Sequence, residues 1–135
     1  SFEGEVVFTR DTHFENYADT QEGKKLPIPH CIKGTNGWQI NSKLKNLIKP
    51  ETKIFDKITF GSTELTEYLK NNKELEKVTL AGLCTDICII SNALLIKANL
   101  PEVEIEVLEN CCAGVTPESH INALNAMKMC QISVK

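Results

Sequence analysis

The 135-residue sequence contains no apolar run approaching the roughly 18 to 20 residues a membrane span requires, and no basic-then-apolar pattern at its start. A membrane-spanning role and a secretory route are therefore not expected, and the chain reads as a soluble, cytoplasmic protein. It also lacks an excess of positive charge: 15 lysines and arginines against 18 aspartates and glutamates leave a net charge of -3, with the lysines spread among acidic residues. Phosphate backbones attract basic stripes, so nucleic acid is not an expected partner. Internal repeats, low-complexity tracts and linkers are missing too, and a hydrophobic content of 41% suits one compact domain over residues 1–135. The six cysteines, at 31, 84, 88, 111, 112 and 130, would make three bridges in a secreted chain. Without a secretion signal, reduced thiols are the expectation.

What the chain does have is alternation. "EVVFTR" ending near Arg10, "KIFDK" (53–57), "KVTLAG" (77–82), "VEIEVLE" (103–109) and "CQISV" (130–134) read as strands. Between them "SKLKNLI", "STELTEYLKNN" opened by Ser62, Asp86 to Asn99, and "TPESHINALNAMKM" with Thr116 as N-cap and Pro117 at the first position read as helices. This order predicts an α/β fold, a three-layer Rossmann-like parallel sheet flanked by helices, with reactive groups beyond the carboxyl ends of the strands. Asp11 to Ile40 is the exception: about thirty residues with little periodicity and two of the three histidines. A segment of that kind inside a compact domain is usually functional.

Four places carry chemistry. In "LAGLCTDICIISNALL" a buried strand breaks at Gly82, "LCTD" turns, and a helix begins with Thr85 or Asp86 as its N-cap. Cys88 then lies in the first helical turn, where unpaired amides and the helix dipole favour a thiolate, so it is either a nucleophile or a small core residue. Cys84 lies at the strand end; zinc ligation by both sulfurs would need two further ligands, and no second C-x-x-C exists to supply them. "RDTHFENY" sets Asp11 and His13 two apart after the first strand, and "LPIPHC" adds His30, next to the stiffening Pro27 and Pro29. Together these form a ligand set for a divalent metal with open positions, or else unremarkable loop residues. Lys57 ends its strand, where an ammonium either is solvated or stabilises a neighbouring thiolate or carboxylate. Cys111, Cys112 and Cys130 read as packing or incidental, and His120 as a surface residue.

In that order, "FTRDTH", "LPIPHCIKGTNGWQI", "FDKITFGS" and "LAGLCTDICI" resemble the isochorismatase-like cysteine hydrolases, and within them the nicotinamidase branch. The likeness runs from about Glu5 to the C-terminus. It implies that Cys88, closing G-x-x-T-D-x-C, is the nucleophile, that the Leu83–Cys84 peptide is cis, and that the amides of Cys84 and Cys88 form an oxyanion hole. Lys57 inherits the catalytic lysine's role. Asp11, His13 and His30 correspond to ligands of a divalent metal, zinc first with iron or manganese as alternatives, which holds the substrate's pyridine nitrogen and waters. The implied partner is a small-molecule amide, nicotinamide or a close carboxamide, and the family's self-association points to a homo-oligomer.

The family's triad aspartate stands in a D-x-Q-x-D-F-like motif that these residues do not contain, since "EVVFTR" matches the family's second strand. The resemblance thus implies an absent strand and helix on the order of 30 residues long, making this an N-terminally incomplete domain. The competing readings are a noncatalytic metal-binding or interaction remnant of the fold, a hydrolase of another small amide, and a thiol redox protein using Cys84 and Cys88. The last is disfavoured because the spacing is not C-x-x-C.

Overall fold

The computed structural model describes residues 3–135, so residues 1 and 2 of the expected domain lie outside the described residues. The chain divides into two compact units, one running to Thr59 and the other Phe60–Lys135. Among the described residues all strand pairing is parallel, and strands alternate with helices as the α/β reading requires.

In the first unit β1 (Phe8–Asp11) pairs with β2 (Ile54–Lys57), in a register that sets Asp11 opposite Lys57. β1 starts later than expected and ends one residue later. Beyond it, the His13 amide donates to the Cys31 carbonyl at 2.9 Å and the Lys33 amide to the His13 carbonyl at 2.9 Å. This bridge brings His30 back beside His13, and Cys31 makes the turn in the left-handed region at φ 49°. The long segment from Asp11 to Ile40 is tiled with short elements: 3-10 turns at Tyr17–Asp19 and Asn36–Trp38, and α1 (Gln21–Lys25). The Thr20 hydroxyl caps α1 by accepting from the Gly23 amide at 3.0 Å. Gly23 is required there, because a β-carbon would strike the Tyr17 carbonyl. "SKLKNLI" forms a 3-10 helix, Ser42–Leu47, not an α-helix. Its six residues are all exposed, so no buried face stabilises regular turns.

The second unit orders its strands β3 (Lys77–Leu83), β4 (Glu104–Ala113) and β5 (Ser133–Val134), with α2 (Thr63–Asn71) ahead of β3, α3 (Ile90–Asn99) between β3 and β4, and α4 (Pro117–Met129) between β4 and β5 in sequence. Helix starts follow the local chemistry. The Ser62 hydroxyl accepts from the Leu65 amide at 3.1 Å, and Thr116 with Ser119 closes a capping box ahead of Pro117. Several expectations are corrected. β3 is half-buried, not buried, since among the described residues only β4 pairs with it. β4 extends to Ala113 and takes Cys111 and Cys112 into the strand, past a register shift between Leu80 and Gly82. β5 shrinks to two residues, because the Cys130 amide bonds back to Ala126 and Met127 and so belongs to the end of α4. The segment expected as a helix from Asp86 opens as a π-helical turn, Thr85–Ile89, with Cys84 at its N-cap, and becomes α-helical at Ile90.

Candidate active site

β1, its exit loop, α1 and β2 converge on a polar cluster in the first unit. The Asp11 carboxylate is divided between Lys57 and two histidines: Oδ1 accepts from Lys57 Nζ at 3.1 Å, while Oδ2 stands 3.5 Å from His13 Nε2 and 3.7 Å from His30 Nε2. Lys57 is buried and also donates to the Thr59 carbonyl at 3.1 Å. One ligand atom each from Asp11, His13 and His30 lies within 4.8 Å of the others. Glu22 adds an oxygen: its Oε1 is 3.6 Å from Nε2 of both histidines. Sequence reading missed Glu22. The available signal was Thr20, an N-cap residue that opens a short helix and puts Glu22 in its first turn.

These residues fit a metal ion. His13 is only 5% exposed, and its Nε2 is a buried polar atom with no hydrogen-bond partner. Such orphans are rare because desolvation without a partner is costly. His30 Nδ1–H donates to the Ile28 carbonyl at 2.8 Å, which leaves the Nε2 lone pair for a ligand. Ligand atoms around a tetrahedral zinc with bonds of about 2.0–2.1 Å stand roughly 3.3–3.4 Å apart. The carboxylate–histidine spacings of 3.5–3.7 Å approach that value and exceed hydrogen-bond length. Tyr17 closes the floor, edge-on to both histidine rings, and donates its hydroxyl to the Leu26 carbonyl at 2.9 Å. Burial, then the charges of Glu22 and Asp11, push its phenol up, keeping it a donor.

In the second unit the candidate nucleophile occupies the turn after β3. The Leu83–Cys84 peptide bond is cis, and Gly82 before it takes φ 130°, a conformation side chains disfavour. The Cys84 carbonyl accepts from the Ile87 amide at 3.2 Å and the Ile89 amide at 3.0 Å, the second being the i+5 bond of the π turn. Cys84 therefore belongs to the helix start instead of lying outside it. Cys88 sits within the turn, partly exposed. Its carbonyl accepts from Asn92 Nδ2 at 2.8 Å; the same amide donates to the Phe60 carbonyl at 3.1 Å, and Asn92 Oδ1 accepts from the Ser62 amide at 2.9 Å. Sequence reading missed Asn92 as well.

Two further bonds tie this turn to the start of α4. Thr85 Oγ1 and His120 Nδ1 share a hydrogen bond of 2.8 Å, so His120 is not the idle surface residue expected. Both Asp86 carboxyl oxygens accept from the Val115 amide, at 3.2 and 3.1 Å. Burial pushes the Asp86 carboxyl up, but the Ser119 hydroxyl, the Val115 amide, its own amide and His120 together hold it below the ordinary value. Cys112 is the reverse case, a thiol pushed up by burial, which suits packing and not attack.

One unit thus carries a metal-ligand-type donor set after a parallel strand, and the other a half-exposed cysteine in the turn after another. The chain matches the isochorismatase domain family over residues 1–134 and belongs to that family. It is 31% identical over 128 residues to the isochorismatase family protein PncA of Bacillus subtilis strain 168, covering 89% of this chain and 68% of that relative. The crystal structure of the Bacillus subtilis nicotinamidase/pyrazinamidase PncA superposes with a TM-score of 0.81 at 27% identity, over 96% of this chain and 74% of the other. The Pyrococcus horikoshii pyrazinamidase, solved in complex with zinc, shares the fold at a TM-score of 0.77 and 23% identity, over 97% of this chain and 74% of its own. The fold is thus that of the isochorismatase-like hydrolases. Among the described residues no helix is long and apolar enough to cross a membrane.

Proposed function

We propose that this chain is a cysteine amidohydrolase that converts nicotinamide, a small-molecule partner, to nicotinate and ammonia in the cytoplasm, as part of NAD salvage. The observation that carries this reading is the donor set of Asp11, His13, His30 and Glu22 around the orphaned His13 Nε2. A metal centre favours the nicotinamidase branch over relatives that use carbamoyl substrates without metal. The similarity to nicotinamidases and the zinc complex of a fold relative support it further. Zinc is the proposed ion, with iron or manganese as alternatives. Such an ion would supply a Lewis-acid site that holds the pyridine nitrogen and waters, fixing the orientation of the ring.

The chemistry belongs to the side chains. The Cys88 thiolate adds to the amide carbonyl, and the resulting oxyanion is held by the backbone amides of Cys84 and Cys88. Collapse breaks the C–N bond; the nitrogen takes a proton and leaves as ammonia, giving a thioester. Water then adds to the thioester carbonyl and loses a proton, and expulsion of the thiolate releases nicotinate. Lys57 takes the role of the family's catalytic lysine. The proton donor and acceptor would be an aspartate in the role of the family's triad aspartate, for which these 135 residues hold no matching motif. Both units are read as parts of one isochorismatase-like domain, which self-associates as a homo-oligomer.

Ammonia release from nicotinamide, measured for wild type and Cys88→Ala with mass spectrometry of the acid-quenched protein, tests this. Activity lost on substitution, with a nicotinoyl adduct on Cys88 in wild type, is expected. Bound metal without ammonia or adduct would instead identify a noncatalytic metal-binding domain, and adduct formation only with other amides would change the substrate.

A further inference from the structure

In the π-helical turn that carries Cys88, the Cys84 carbonyl accepts from both the Ile87 and Ile89 amides, and the Ile90 amide donates to the Thr85 and Ile87 carbonyls. Side chains from outside the turn reach it as well. The start of α4 supplies a rigid frame. Thr116 and Ser119 form a capping box, Pro117 fixes the first turn, and Gly114 packs so closely on His120 that a β-carbon there would lie 2.8 Å from the His120 Cβ and 2.9 Å from its Cα. His120 is thus held in place before it meets Thr85. Thr85 is 0% exposed, so without its 2.8 Å bond to His120 Nδ1 its hydroxyl would lose a partner that water cannot replace. Asp86, the next residue, is fastened to the same segment through the Val115 amide.

We infer that His120 is a positioning residue for Cys88, acting through the Thr85 hydroxyl to hold the turn in the orientation that attack requires. This rests on the reading of Cys88 as the nucleophile. A purely structural histidine would lend stability alone. A positioning histidine sets the reactivity of a thiol three residues beyond its partner, and its effect depends on the hydrogen bond more than on the bulk of the ring. Asparagine offers a polar atom near the position of Nδ1 and can keep that bond; alanine cannot.

The test compares wild type with His120→Ala, His120→Asn, Thr85→Val, Thr85→Ser and the double variant His120→Ala/Thr85→Val. The rate of Cys88 alkylation by iodoacetamide is followed by peptide mass mapping, with the exposed Cys111 and Cys130 as internal references. kcat and KM for nicotinamide are measured in parallel. His120→Ala is expected to slow Cys88 alkylation roughly tenfold, the factor matching the loss of about one hydrogen bond. kcat falls with it while KM and the alkylation of Cys111 and Cys130 hold, His120→Asn and Thr85→Ser recover most of the rate, and the double variant is no slower than either single. Unchanged alkylation and kcat in His120→Ala, equal losses in His120→Ala and His120→Asn, or additive losses in the double variant would each overturn the inference. If His120→Ala does not fold, the contrast between Thr85→Val and Thr85→Ser decides, and equal rates in that pair count against the bond. Should wild-type Cys88 react no faster than Cys130, the nucleophile reading itself fails and takes this inference with it; a fast wild-type Cys88 that ignores His120 removes only the positioning role.

Discussion

Among the described residues, the buried side chains of the unit ending at Thr59 are Thr12, His13 and Lys57, with only Tyr17 and Phe55 to add apolar weight. The unit from Phe60 onward buries an aliphatic core that includes Ile96, Ile105, Val107, Leu124 and Met127, and its polar insertions are matched. Asn92 satisfies three backbone groups, and Thr85 shares its hydroxyl with His120. The first unit leaves His13 Nε2 without a partner. One unit therefore folds around its own hydrocarbon, while the other gathers donors whose mutual repulsion and desolvation a cation would relieve.

The sharpest way to divide the two is Cys88→Ala. It is expected to lower ammonia release on the order of 10⁴-fold or more, as loss of a covalent nucleophile does, while metal content measured by elemental analysis stays at wild-type level. His13→Ala makes the opposite cut. Zinc affinity is expected to fall at least about 100-fold, the scale of removing one contributor to a metal site. Amide exchange should then quicken in β1 and α1 while the core of the second unit stays protected. Equal loss of protection in both units would erase the contrast.

Asn92→Leu sharpens the comparison from the other side. It keeps the approximate volume but strands the Cys88 and Phe60 carbonyls and the Ser62 amide, and is expected to cost about 2–4 kcal/mol in urea-unfolding free energy. A cost near zero would mean that those groups find other partners. The smallest effect belongs to the Lys77–Glu106 pair, at 2.8 Å. Its hydrogen bond to Lys77, opposed by burial, holds the Glu106 carboxyl below its ordinary value near 4.5, and the same bond raises Lys77 above its ordinary 10.5. The Glu106 contribution is thus present above pH 4.5 and lost as pH falls through the lower folded value. The Lys77 contribution is present below pH 10.5 and lost as pH rises through the higher one. Glu106→Gln should flatten the acid limb of a urea-midpoint titration; an unchanged limb would assign acid sensitivity elsewhere, Asp86 being the other carboxyl held low.

Much of this was legible before any coordinates. Ser62 and Thr116–Pro117 announce α2 and α4 because capping is a local interaction, complete within four residues. Asp11 and His13 were readable as a D-x-H pair, and His30 as a histidine that follows two stiffening prolines. Glu22 was not, since a single carboxylate in an aperiodic segment looks like any of the 18 acidic residues until Cys31 turns the chain back and α1 lies beside the histidines. The π turn at Thr85–Ile89 was equally hidden, because its wider ring answers to contacts from Asn92 and His120 and not to propensity.

By itself, then, the sequence determined the α/β alternation, the helix caps, and the residue types able to hold a metal or present a thiol, because each depends on neighbours a few positions away or on the side chain's own chemistry. Tertiary structure alone decided that Asp11 divides its two oxygens between Lys57 and the histidines, that Glu22 joins them, and that His120 reaches Thr85. Apart from Asp11 and His13, which are close in sequence, these are pairings across 8 to 46 positions. Only the folded backbone brings such atoms to within a few ångströms, where hydrogen bonding and electrostatics act.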